Sequence, residues 1–464
     1  MITARAFAGK HYAVYGLARS GLATVAALLA SGAKVTAWDA REEARAALLS
    51  SLSRSDGKGD HAQHGGGASD GSSAPPPPSR VPLPTGFAGR ENLMTADLDS
   101  ADLSQFDALV VTPGLPLNRH PIAARAREAG VEIIGDIELF ARARPELPPH
   151  KVVGITGTNG KSTTTALVHH ILQTAGVPST MGGNIGLPIL AQNPLPEGGV
   201  YVLELSSYQI DLTQSLDCDV AVLLNITPDH LDRYESFEAY AASKARLFEM
   251  QSPDQIALVD WDAFMKGLVD PICGFNGLVL PEWMVPGDWP ALQGPHNRDN
   301  AAAAIETAAW LSLEPDDIVR GLATYAGLPH RMERVREKAG VLFVNDSKAT
   351  NAEAAAPALA AFPNVRWILG GQAKSDRLGD IAAQLGHVVK AYTIGEAGPM
   401  FARLLEDAAV PVEQCETLEI ATKRAAEDSL PGDVVLLSPA SASFDQFKDF
   451  EARGDRFREL VEGL

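Results

Sequence analysis

Gly154-Ile155-Thr156-Gly157-Thr158-Asn159-Gly160-Lys161-Ser162-Thr163 follows an apolar run through Val152, Val153 and Ile155 and precedes a helix expected over 164–174. A glycine-rich turn between a strand and a helix offers backbone N–H groups and the positive end of the helix dipole to an anion. Lys161 has the reach to meet the outer phosphates of a nucleoside triphosphate, and the Ser162 hydroxyl can ligate Mg²⁺. Five residues stand between Gly154 and Gly160, with Gly157 among them, one more than the usual phosphate loop carries. A plain turn with a surface lysine would explain the glycines but not the Gly-Lys-Ser order. The candidate phosphate-binding residues are Gly157, Thr158, Asn159, Gly160, Lys161, Ser162 and Thr163.

Working outward, strands and helices alternate on both sides of this loop. Upstream, strands are expected over 11–15, 34–38 and 108–111, with a helix over 22–31. Downstream, buried strands are expected over 201–205 and 220–226. After Gly327-Leu328-Pro329, further strands are expected over 341–344, 365–369, 389–394 and 434–437. This is the pattern of parallel, doubly wound sheets. Prolines 145, 148 and 149 mark one boundary and Pro329 a second. The expected class is α/β in three domains: a Rossmann-like domain over 1–147, a central P-loop-type ATPase domain over 148–328 and a C-terminal Rossmann-like domain over 329–464. A Gly/Ser/Pro-rich stretch over about 53–86 cannot bury a core and reads as a disordered insertion.

The chain has 464 residues, 45% of them hydrophobic and 21% charged, which suits a globular protein of several domains. Its net charge of −19 argues against a nucleic-acid partner. Anionic ligands then have to be met by local clusters of Lys, Arg, Mg²⁺ and helix ends. No apolar run reaches the roughly 18 residues of a membrane span, and the N-terminus runs straight into a strand, so the cytoplasm is expected; a monomer is expected as well, though nothing in the residues fixes it. Cys218, Cys273 and Cys415 have no metal-ligand spacing.

Ligands of open α/β sheets bind at the C-terminal ends of the strands. Glu204 ends one strand, where a carboxylate can complete a Mg²⁺ shell. Asn225-Ile226-Thr227-Pro228-Asp229-His230 ends the next, and His230 can hold a metal or substrate there, with Asp229 to orient it. Gly16-Leu17-Ala18-Arg19-Ser20-Gly21, with Asp39 closing the following strand, imitates a dinucleotide fingerprint. That turn fits a diphosphate or ribose ligand, or tight packing alone. A nicotinamide-dependent oxidoreductase built on it would leave Lys161 and Glu204 without a purpose. Lys244 lies on an amphipathic helix and by itself reads as solvated.

GITGTNGKST, NITPDHLDRY, PHNRDNAAAA and GLPHR together resemble the Mur ligase family of peptidoglycan-precursor enzymes, along the whole chain outside 53–86. NDSKATN and SPASASFDQF are similar, more narrowly, to the members that add D-glutamate. The Asp-Asn-Pro-Arg signature of the diaminopimelate-adding members is absent. Folylpolyglutamate synthetases share the ATP loop but not this last domain. The resemblance implies a ligase that uses ATP and Mg²⁺ to join D-glutamate to UDP-N-acetylmuramoyl-L-alanine through an acyl phosphate. Another amino-acid ligase of the family is the alternative.

By the same resemblance Lys161, Glu204, His230 and Lys244 are catalytic. Ser162, Glu204, His230 and a carbamylated Lys244 hold metal. Asn300, Arg331 and Asp346 take the adenosine side of ATP. Arg19, Ser20, Gly21, Asp39, Arg41, Gly114, Asn184 and His230 bind the UDP substrate. Lys348, Thr350, Ser443, Phe444 and Phe450 receive D-glutamate. Arg19 stands where the family usually carries a smaller residue, and Ser441 where a cysteine is frequent.

Overall fold

The computed structural model describes residues 1–53, 90–229, 233–259, 276–277, 289, 291–292 and 294–464. They form two compact units, Met1–Lys161 with Gly176–Gly277 and Ser162–Ala175 with Leu278–Leu464. Most of the 53–86 stretch, Cys273 and His230 lie outside the described residues.

The first unit carries two sheets. The N-terminal sheet joins β1 (His11–Tyr15), β2 (Lys34–Trp38), β3 (Leu93–Thr95), β4 (Ala108–Val111) and β5 (Ile133–Ile134) in the order β3-β2-β1-β4-β5. Its pairings are all parallel. The order reverses between β1 and β4, which opens a ligand crevice at their C-terminal ends. Helix α1 (Arg19–Ala30) leaves the β1 turn, and α2 (Asp136–Ala143) follows β5.

The second sheet runs β11-β10-β9-β6-β8-β7. Its strands are β6 (His150–Thr156), β7 (Ser179–Gly183), β8 (Gly199–Glu204), β9 (Val220–Leu223), β10 (Ile256–Val259) and β11 (Asn276–Gly277), all parallel. β8 and β9 are buried along their whole length, as strands covered on both faces read. One apolar core runs from Val14 and Val35 through Ile137 and Phe140 to Val152 and Tyr201, so the two sheets share an interior.

In the second unit, helix α3 (Lys161–Thr174, from Ser162 onward) packs with α5 (Pro315–Thr324), the latter following α4 (Pro295–Trp310). Gly321 makes this possible: a Cβ there would sit 2.8 Å from Ile171. The sheet of this unit runs β12-β13-β17-β14-β15-β16. Its strands are β12 (Glu333–Lys338), β13 (Val341–Asn345), β14 (Val365–Gly370), β15 (Val388–Ile394), β16 (Val412–Glu416) and β17 (Val434–Leu437). Alternation along β14 sends Trp367 and Leu369 to one core and Ile368 to the other. Strand β12 departs from the expected parallel pattern. It pairs antiparallel with β13 through a turn at Ala339 and Gly340, both at positive φ. Its Glu-Arg-Val-Arg-Glu-Lys sequence suits a charged sheet edge.

Candidate active site

The phosphate loop is shaped by its neighbours. Gly157 and Gly160 take φ of +152° and +84°. A side chain on Gly157 would come within 3.1 Å of Leu224. Strand β9 stops at Leu223, short of the expected 226, because the next residues turn to hold this loop. Asn225 accepts from the Asn159 N–H at 2.9 Å through its side chain and from the Thr158 N–H at 3.0 Å through its carbonyl. The Thr158 hydroxyl accepts from the Thr227 N–H at 3.0 Å. Helix α3 begins at Lys161, three residues earlier than expected.

Lys161 folds back on this loop, donating to the carbonyls of Gly157 and Thr158, each at 2.8 Å. Lys244, on the helix Phe237–Glu249, is 1% exposed and donates to the same Gly157 oxygen at 2.9 Å. Its ammonium also lies 4.7 Å from the Tyr240 ring. Burial, then the nearby charge of Lys161, pulls the Lys244 amine down to about 7, against the opposing pull of Asp229 and Asp211. The lysine that the sequence alone would leave in water is thus an interior amine, held well below an ordinary lysine's pKa.

Glu204 ends β8 beside Ile155 of β6 and is 2% exposed. One carboxylate oxygen accepts from the Asn184 amide at 2.9 Å. The other, buried, has no hydrogen-bond partner among the described residues. An unsatisfied interior carboxylate oxygen is costly and is suited to a cation. Asn184 also donates its own N–H to the Glu204 carbonyl at 2.8 Å.

In the N-terminal sheet, Gly16 and Gly21 admit no side chain: a Cβ on Gly21 would stand 1.8 Å from the Gly16 carbonyl oxygen. Ser20, Gly21, Thr24, Thr112 and Asp136 border a recess at the β1–β4 crevice. Burial raises the Asp136 carboxyl to about 6, with the Ile137 N–H opposing. Asp39 accepts from the Leu17 N–H at 2.7 Å and from the Arg41 guanidinium at 3.1 Å. Burial alone would raise its carboxyl, but Arg41 and the backbone bonds bring it down to about 2. Arg19 donates to the Gly186 carbonyl at 3.0 Å, and Arg233 reaches the Gly114 carbonyl at 2.9 Å.

In the second unit, Arg331 donates to the Ser162 hydroxyl at 3.2 Å. Asn300 accepts from Thr164 at 3.2 Å and donates to Asn297 at 3.1 Å. Asp346 is buried, accepting from the Ser438 hydroxyl at 2.8 Å and the Met332 N–H at 3.2 Å. Burial raises its carboxyl to about 7, although Ser438, Arg331 and Met332 oppose. The Lys348 ammonium lies 3.9 Å from the Phe450 ring. Thr350 is half-buried, Ser443 is buried and Phe444 is 69% exposed. The structure therefore groups Lys161 with Lys244, Glu204 with Asn184, and Ser162 with Arg331. Asn225 and Thr227 stood in the run at the strand end without a role of their own, and Asp136 and Arg453 were not singled out. For the first two, their place after a strand beside the glycine loop was the available signal.

Residues 155–267 match the Mur ligase middle domain, and residues 330–441 match the Mur ligase glutamate ligase domain. The chain is 57% identical to the UDP-N-acetylmuramoylalanine–D-glutamate ligase of Novosphingobium aromaticivorans, over 100% of this chain and 97% of that protein. Its fold is like that of the UDP-N-acetylmuramate–alanine ligase of Thermotoga maritima, with a TM-score of 0.55 at 17% identity, over 98% of this chain and 99% of the other. It is like that of the MurF ligase of the same organism, solved with ADP, with a TM-score of 0.55 at 20% identity, over 74% and 91%. Identity above one half along the full length, with two family segments in register, settles the kinship: the chain belongs to the Mur ligase family, whose members are ATP-dependent amide-bond-forming ligases.

Proposed function

We propose that the protein joins D-glutamate to UDP-N-acetylmuramoyl-L-alanine at the expense of ATP, a step in peptidoglycan-precursor synthesis, and works as a cytoplasmic monomer. The observation that carries this reading is the full-length likeness to a relative named for that reaction. No helix among the described residues is long and apolar enough to cross a membrane. We assign residues 1–147 to the UDP substrate, 148–328 to ATP and 329–464 to the amino acid.

The γ-phosphoryl group of ATP passes to the L-alanyl carboxylate, giving ADP and an acyl phosphate. The D-glutamate amine attacks the acyl carbon and loses a proton, and the tetrahedral intermediate expels phosphate as the C–N bond is kept. Such a reaction needs positioning and charge neutralisation more than covalent help from the protein. Lys161 leaves its own loop carbonyls to hold the outer phosphates, on a loop that Asn225 and Thr227 have already shaped. The unpartnered oxygen of Glu204 suits Mg²⁺, and Glu204 with Ser162 would hold it, Asn184 keeping the carboxylate in place. Mg²⁺, when bound, would neutralise charge on the phosphoryl group in transfer.

His230 and a carbamylated Lys244 keep their roles at a second ion by resemblance, and the unprotonated interior amine of Lys244 is the form that can take up CO₂. Asn300, Arg331 and Asp346 would meet the adenosine side. Arg19, Ser20, Gly21, Asp39, Arg41, Gly114 and Asn184 would meet the UDP substrate. Lys348 would pair with a glutamate carboxylate, with Thr350, Ser443, Phe444 and Phe450 around it. Phosphate release from ATP and Mg²⁺ with UDP-N-acetylmuramoyl-L-alanine should require D-glutamate and give a product one glutamyl unit heavier. Release with L-lysine or meso-diaminopimelate in its place would reassign the amino acid, and release with none would end the ligase reading.

A further inference from the structure

The C-terminal helix, Phe450–Glu462, is capped by the Asp449 carboxylate, which accepts from the Ala452 N–H at 2.7 Å. Its first turn points Arg453 inward, where the side chain is 1% exposed. A buried cation is ordinarily paired with a carboxylate. The acceptors of Arg453 are instead four carbonyls and one hydroxyl. Nε donates to Ser347 Oγ at 3.0 Å. Nη2 donates to the carbonyls of Ser347 at 2.9 Å and Ser441 at 3.0 Å. Nη1 donates to the carbonyls of Ala442 at 3.3 Å and Gly370 at 3.5 Å. These five acceptors match the five N–H donors of a guanidinium.

They come from three chain segments. Ser347 lies in the loop after β13, Ser441 and Ala442 in the loop after β17, and Gly370 ends β14. The first loop carries Lys348 and Thr350, the second Ser443 and Phe444. Ser347 passes the constraint on, since its hydroxyl donates to the Phe450 carbonyl at 2.9 Å and Phe450 is the ring under Lys348. Gly371, at φ of +125°, lets the chain come close here: a Cβ there would lie 2.3 Å from the Ala442 carbonyl oxygen and 3.2 Å from Nη1. Burial draws the Arg453 guanidinium down to about 10, opposed by Asp445, so it remains a cation at neutral pH. An apolar side chain of this size would fill the space but leave these buried carbonyls without a donor. A planar fork with donors in five directions is suited to fixing three segments at once, and an ammonium is not.

We propose that Arg453 is a positioning residue for the amino-acid substrate, clamping the 345–351 loop to the 438–447 loop and so setting the spacing between the groups that receive D-glutamate. The clamp rests on the function proposed above. Because a displacement of about 1 Å can cost about 10²-fold in such a site, loosening it should fall on the amino acid first.

The test compares the native enzyme with Arg453→Lys, Arg453→Met and Ser347→Ala by phosphate release, taking KM separately for D-glutamate, ATP and UDP-N-acetylmuramoyl-L-alanine, with a thermal melt of each. Arg453→Lys should raise KM for D-glutamate by ~10-fold or more and Ser347→Ala by ~3-fold, leaving the other two KM values within ~2-fold. If Arg453→Met does not fold, the two milder variants decide. A folded Arg453→Lys enzyme with native KM for D-glutamate, or with all three KM values raised alike, overturns the clamp. If the native enzyme works with a different amino acid, the function reading falls, and the clamp is judged on KM for that amino acid.

Discussion

Replacing Asp346 by asparagine should stabilise the second unit, and by an amount that grows with pH. The carboxyl is buried and its pKa stands near 7, against an ordinary 3.8. A raised carboxyl means that the folded chain holds more protons than the unfolded chain between those two values. Stability is therefore lost as pH rises through that window. The gap of about 3.2 pH units between 3.8 and 7 is worth about 4 kcal/mol once Asp346 is fully ionised, at about 1.36 kcal/mol per pH unit. Between pH 5 and pH 7 the part expected is about 2 kcal/mol. Asparagine keeps the shape and carries no charge at either pH. Its oxygen can accept from the Met332 N–H, and the Ser438 hydroxyl can turn to accept from its amide.

Urea unfolding followed by tryptophan fluorescence suits the comparison, since Trp367 is fully buried and donates to the Ser438 carbonyl at 2.8 Å, next to the substituted side chain. The difference between variant and native should be small at pH 5 and favour the variant by about 2 kcal/mol more at pH 7. A constant difference across that range would mean that Asp346 is ionised throughout and that Arg331 offsets its burial, which would refute the reasoning. ATP should meanwhile bind the variant less well if the carboxylate serves the adenosine side.

Three further changes probe the other clusters. Glu204→Gln keeps the bond to Asn184 but removes the charge, so turnover should drop on the order of 10²-fold with a raised Mg²⁺ requirement in a metal titration; an unchanged requirement would remove Glu204 from the metal. Lys244→Ala should abolish phosphate release, and short carboxylic acids should restore part of it by filling the place of a carbamate; failure of every acid tried would count against carbamylation. Gly21→Ala puts a methyl group 1.8 Å from the Gly16 carbonyl oxygen. It should cost about 1–3 kcal/mol and raise KM for the UDP substrate, and a variant with native melting and native KM would show that the turn has slack to yield.

The central strands were legible because each is an apolar run closed by glycine or polar residues, as in β1, β6 and β17. The edges were not. Strand β7 reads Ser-Thr-Met-Gly-Gly and β12 Glu-Arg-Val-Arg-Glu-Lys, so neither offers the apolar run that marks a buried strand. They pair because a neighbouring strand presents unpaired N–H and C=O groups, which is a tertiary fact. At the site, the glycine loop announced its turn through positive-φ positions that favour glycine. Lys244 and Arg453 did not, since a charged residue on a polar helix reads as solvated, and only packing turns it inward. Resemblance singled out Lys244, but nothing in the residues pointed to Arg453, whose helix carries charges on most of its positions.

A single oxygen, the carbonyl of Gly157, receives both lysines, Lys161 at 2.8 Å and Lys244 at 2.9 Å. The two positions are therefore epistatic. Removing either side chain changes the bonding and the electrostatic burden of the other, so single substitutions will report on a pair, and their effects in a double variant will not sum. Natural variation at one of these lysines would be filtered by what stands at the other.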